Sequence, residues 1–121
     1  HALQAAQMLE GKLPDEAVAA IRSHNAENNG APPPSAPFDF ALRCGETVTG
    51  LVAANALVRP EGMTGMKPKS LRKKMKVRSF AANVNREIIM ECDAIGLELS
   101  RFLQIAIDAI APIAHEVGLT K

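Results

Sequence analysis

Three histidines and one isolated glutamate are the residues of this sequence whose types can do chemistry together: His1, His24, His115 and Glu46. A neutral imidazole offers one ring nitrogen to a metal while the other needs a hydrogen-bond acceptor. A carboxylate offers oxygen. His1, His24 and Glu46 could therefore complete a mixed nitrogen and oxygen site for zinc, iron, manganese or a similar divalent ion. No HExxH-type spacing joins them, so the three must converge from separate helices. Each also has a plainer reading. His24 lies at the end of an amphipathic segment, where a histidine caps the helix or is hydrogen-bonded in the core. His1 is a chain terminus, and His115, beside Glu116, reads as a surface or capping residue. Glu46 falls on a stripe of small, mostly apolar residues that includes Leu42, Thr49, Gly50 and Ala53. A buried carboxylate is costly unless paired or metal-bound, and the plain reading pairs it with Arg43, Arg22 or a later cation.

The second chemical feature is charge. Between Arg59 and Arg86 there are nine Lys or Arg residues and a single acid, Glu61. Lys67, Lys69, Arg72, Lys73, Lys74, Lys76 and Arg78 form its dense centre, while both flanks are net acidic. Such a patch can steer a phosphate-bearing small molecule, with Lys67, Lys69, Arg72, Lys73 and Lys74 as the phosphate-binding candidates. Residues 67–78 lack the interleaved aromatics that stack single-stranded bases, and no helix-turn-helix pattern is present, which argues against nucleic acid as the partner. A solvated basic face is the plain alternative. There is no Ser/His/Asp arrangement, no CxxC pair and no Gly-rich phosphate loop.

These residues need helices to position them. The chain has 121 residues, 47% hydrophobic with only 3% aromatic, and no Trp or Tyr. One alanine-rich domain spanning residues 1–121, all-α and closely packed, is expected. Phe38–Val58 is its spine: about 21 residues, roughly 30 Å of helix, bounded by Pro37 and Pro60. Ala41, Cys44, Val48 and Leu51 recur at helical spacing as its core face. Ala2–Leu9 predicts a short helix ended by Gly11, and Pro14 to about Asn25 a second. Ala26–Pro37, with Asn28-Asn29-Gly30 and three consecutive prolines, predicts a loop. Ser70 is expected to cap a helix through Met75 or Lys76, Asn85 one over Arg86–Ile95, and Ser100 the last, with Phe102, Leu103, Ile105, Ala106, Ala109, Ile110 and Ile113 as its apolar positions and Pro112 as a kink. Gly96 is the expected stop after Ile95. Net charge is +1, and Cys44 and Cys92 make no disulfide framework, so a reduced, cytoplasmic protein is expected. No run reaches the roughly 18 apolar residues of a membrane span, and no signal-peptide pattern is visible. The chain opens on histidine rather than methionine, which fits processing, trimming or residues missing upstream.

HALQAAQMLEGKLPDEAVAAIRSHN, ETVTGLVAANALVRP and KPKSLRKKMKVRSFAANVNREII together resemble the C-terminal part of small bacterial HD-domain hydrolases. The resemblance runs over nearly the whole chain, and ALVRP with the later KS…K…SFA…VNRE pattern carries most of it. It implies an all-helical, HD-domain-like bundle, incomplete at its N-terminus, derived from a metal-dependent phosphohydrolase. The family uses an early histidine, an adjacent His-Asp pair and a later aspartate, and the first two elements would lie upstream of His1. His1 and His24 match the additional histidines of two-metal relatives. Glu46 falls where the last metal-binding aspartate is expected, in a stretch resembling CDELTG that here reads CGETVTG from Cys44 to Gly50. Glutamate keeps the carboxylate but moves it outward by one methylene. The resemblance thus implies a divergent or truncated phosphohydrolase-like domain with a divalent metal, acting on a phosphorylated small molecule. The alternatives are a noncatalytic helical interaction module, its open apolar face covered by a second copy of the chain, and weak nucleic-acid binding through residues 67–78.

Overall fold

Proline and carboxylate chemistry set the start of the helix that carries the fold. The computed structural model describes all residues from His1 to Lys121, and its regular structure is helical, without strands. Helix α4, Pro37–Val58, begins with a proline whose fixed φ suits the first turn. Two positions on, buried Asp39 accepts the amide N–H groups of Ser35 and Ala36, both at 3.0 Å. Its charge sits at the positive end of the helix. At the other end Arg59 is extended, as a residue before proline must be, and its guanidinium donates to the carbonyls of Gly62 at 2.8 Å and Thr64 at 2.7 Å. Cys44, Val48 and Leu51 point into the core as their spacing predicts. Ala41 does not: in the first turns the buried side is taken by Asp39 and Arg43, one turn apart, and Ala41 is exposed.

Around this spine the other helices pack in turn. Helices α1 (Ala2–Leu9) and α2 (Asp15–Ser23) form a hairpin through Gly11, and α2 lies along α4. Ala2, Ala6, Val18 and Ala20 are buried in this layer. The stretch read as loop contains one helical turn, α3 (Ala26–Asn29), ended by Gly30. Local amide side chains hold it: Asn28 donates to Asn25 at 2.8 Å, and Asn29 accepts from the Ala31 amide at 2.9 Å. Helix α5 (Pro68–Met75) starts on Pro68, not on a Ser70 cap. Ser70 lies inside the helix and accepts from the buried Asn55 amide at 2.9 Å. Helix α6 (Arg86–Met90) is capped as expected, Asn85 Oδ1 accepting from the Ile88 N–H at 3.1 Å, and tightens into a 3-10 turn over Glu91–Ile95 that Gly96 ends.

Helix α7 (Leu99–Ile110) is capped by Glu98, which accepts from the Arg101 amide at 3.2 Å, rather than by Ser100. The Ser100 hydroxyl accepts from Arg72 at 2.7 Å instead. Phe102, Leu103, Ala106 and Ile107 of α7 are buried, whereas Ile105, Ala109 and Ile113 face outward. Pro112 closes α7 by turning Ala111–Ile113 into a 3-10 turn. The main core joins Val48, Leu51 and Val52 of α4 to Leu71, Ile89 and Leu103. The C-terminus returns to it. Met63 donates its N–H to the Leu119 carbonyl at 2.9 Å, beside Gly62, where an added Cβ would stand 2.5 Å from that same oxygen.

Candidate functional site

The absence of a side chain at one position of α4 shapes the site. A Cβ on Gly50 would stand 3.1 Å from Val84 Cγ2, so this glycine lets the segment before α6 approach the spine. That segment is the end of a loop wound around one cation. The Arg86 guanidinium donates to the carbonyls of Ala81 at 2.7 Å, Val84 at 2.9 Å and Val77 at 3.1 Å, and to Phe80, with longer contacts to Met75 and Lys74. The carbonyls of Val77 and Ala81 also accept turn amides, from Phe80 and Val84, so Arg86 joins those turns through one cation.

Between Asn83–Asn85, the first half of α4 and the end of α2 lies a cleft of about 460 Å³, and His1, His24 and Glu46 all line it. His24 is the C-cap of α2, its backbone N–H donating to Ala20. Its Nδ1 is in short contact with the Ile21 carbonyl. A carbonyl only accepts, so Nδ1 carries the hydrogen and Nε2 of the neutral ring keeps a free lone pair. His24 thus caps α2 through its backbone while its ring is hydrogen-bonded to the same helix. His1 is exposed and meets His24 edge-on, with ring centroids 5.7 Å apart. Glu46 is exposed rather than buried: of the stripe around it Thr49 and Gly50 border the cleft, while Ala53 packs against the core. Its carboxylate accepts only from Thr47, at 3.4 Å, and neither Arg43 nor Arg22 reaches it. No three His, Cys, Asp or Glu side chains converge closely enough to hold a metal ion. The donors share a cleft without closing into a ligand set.

Sequence reasoning missed a buried group that ties two cleft-lining residues, His24 and Glu27, to α4. Arg43 is 3% exposed and forks between two carboxylates, donating to Glu91 at 2.8 and 2.9 Å and to Glu27. Its Nη1 also reaches the carbonyls of Ser23 and His24 at 3.4 Å, which ties the His24 backbone to α4. The hydrogen bonds it donates to Glu91 and then to Glu27 raise the Arg43 pKa further, and the Arg43 bond in turn lowers that of Glu27. No local pattern announces these partners, which lie 16 and 48 residues away. His115 is remote from this region, its Nδ1 3.3 Å from the Thr120 hydroxyl.

A second cleft, of about 670 Å³, adjoins the first and shares Asn83, Val84 and Asn85 with it. Lys76, Arg78 and Arg86 line it, with Glu87 its one acid. Lys67, Lys69, Arg72, Lys73 and Lys74 line neither cleft. Arg72 is engaged with Ser100, and Lys74 stands 4.7 Å above the Phe80 ring. Comparison with protein-family models, with curated proteins and with solved structures returned no significant match.

Proposed function

We propose that the chain is a divergent HD-type, phosphohydrolase-like helical domain whose cleft receives the phosphoryl end of a phosphate ester. The observation that supports this reading is that His1, His24 and Glu46, carried by three separate elements, line one cleft. The electrostatics add a condition. Glu27 and Glu46 both line the cleft, and only Glu27 is matched by a cation. A phosphate dianion beside an uncompensated carboxylate is repelled unless positive charge stands between them. Protonated imidazole or a divalent cation would supply that charge. The three donors do not close on one point, so no chemical step is assigned to an ion.

The test has two readouts. Mn²⁺ binding is followed by electron paramagnetic resonance in the intact chain and in His24→Ala and Glu46→Ala. Hydrolysis and binding of simple phosphomonoesters are followed in parallel, with and without Mn²⁺. The proposal expects phosphate binding that strengthens with Mn²⁺, and turnover above the Glu46→Ala background. No cation dependence, and no turnover above that background, would sink it.

A further inference from the structure

We infer that the ligand carries a second phosphate, seated by Lys76 and Arg78 in the adjoining cleft, an inference that rests on the phosphate-ester reading of the first. The two clefts share the residues Asn83, Val84 and Asn85, so a ligand lying over these three would face both. Each volume falls in the range of small-molecule sites, about 300–1,000 Å³. Their chemistry differs in kind. The first has imidazoles, hydroxyls and carboxylates. The second has three cations against one acid, Glu87.

Which cations are free decides the assignment. Arg86 is spent on backbone carbonyls, and its donors face the loop it holds together. Lys76 and Arg78 are exposed and have no carboxylate within ion-pair distance. Two unpaired cations, one of them a guanidinium whose planar fork matches phosphate oxygens, make an anion seat. On the shared wall, Asn85 uses its Oδ1 to cap α6, which leaves its amide N–H donors for the ligand's polar middle. The favoured class is therefore a bisphosphate with a polar or flexible linker, one phosphate facing His24 and the other facing Lys76 and Arg78. Lys69 and Lys73 belong to the same basic segment but line neither cleft, and general electrostatic attraction would use them equally.

The experiment is a titration calorimetry series with linear α,ω-alkanediol bisphosphates of increasing length, each against the matched monophosphate alcohol, in buffer with Mn²⁺. The proteins are the intact chain, Lys76→Ala/Arg78→Ala, and the charge-matched control Lys69→Ala/Lys73→Ala. At one preferred length the bisphosphate is expected to bind at least about tenfold more tightly than its monophosphate, the effect of one charge-assisted contact. Lys76→Ala/Arg78→Ala abolishes that ratio and the control keeps it. Monophosphates that bind while bisphosphates gain nothing at any length overturn this inference alone. An equal loss in the control pair overturns it in favour of unspecific attraction. Failure of every phosphate to bind overturns it together with the reading it rests on.

Discussion

Arg43→Ala is the perturbation that tests whether one buried guanidinium holds α3 and the 3-10 turn after α6 to α4. Arg43 is 3% exposed, Glu91 24% and Glu27 54%. Removing one partner of a buried pair costs about 3–5 kcal/mol, whereas an exposed pair is worth about 0–1 kcal/mol. Glu91 keeps some water, so its share falls to the low end, about 2–3 kcal/mol. Glu27 is more than half solvated and adds about 0.5 kcal/mol. The total is about 3 kcal/mol, a fall in Tm of about 10 °C for a chain of this length. Urea unfolding with unchanged m-value is the assay. Glu91→Gln should cost clearly more than Glu27→Gln, and the Arg43/Glu91 double-mutant cycle should return about 1–3 kcal/mol of coupling. A loss below about 1 kcal/mol for Arg43→Ala would refute the reasoning, as would equal losses for the two glutamate variants. The pH dependence has a fixed sign. Glu27 has a lowered folded pKa through its Arg43 bond, so its stabilisation is present above the ordinary value of 4.5 and is lost as pH falls through the folded value. Glu27→Gln should therefore flatten the acid limb of the stability profile.

Other residues give sharper contrasts. Asn55 is fully buried, with its amide nitrogen on Ser70 and its Oδ1 without a partner. Ser70→Ala should cost about 1–3 kcal/mol by stranding the amide, while the double variant Asn55→Leu/Ser70→Ala, which removes both partners and the orphaned carbonyl, should cost less by urea unfolding. Gly62→Ala meets both a φ of +61° and the Leu119 oxygen and should cost more than about 2 kcal/mol, against about 1 kcal/mol for Gly65→Ala, where φ is +69° with open space around the Cβ. Equal losses in thermal melts would remove the steric argument. Burial pushes the Cys44 thiol up to about 11 from 9.0, so stability should decline as pH rises across that interval, and Cys44→Ala should lessen the decline. Glu46→Ala should change stability by no more than about 0.5 kcal/mol, because the side chain is exposed and has no cation.

What was legible in the sequence is what is decided within one turn of helix. Pro37 and Pro60 bracket α4, Asn85 caps α6, and Gly11 and Gly96 close helices, because each choice depends on neighbours in the chain. Capping already becomes ambiguous where two competent acceptors stand close together. Glu98 reaches the free amide, and Ser100 is left to bind Arg72. The periodic pattern of α4 identified its core side but not which sector faces a cleft, so Glu46 read as buried. Arg43 was visible only as a candidate partner of Glu46. Its actual partners come from α3 and the 3-10 turn after α6, and no spacing rule relates those segments before they meet. His1, His24 and Glu46 were candidates by residue type, but that they line one cleft is decided by helix packing, and the adjoining cleft depends on how the loop before α6 winds.

The Arg86 arrangement separates shape from side-chain identity in that loop. Its backbone course is fixed by carbonyls, which every amino acid possesses, converging on a single guanidinium. Residues such as Lys76, Arg78, Ser79 and Asn83 are then free to change chemically without redrawing the path that presents them. One retained cation would let substitutions at those positions alter the charge of the cleft wall while its backbone stays in place, a fixed rack for interchangeable groups.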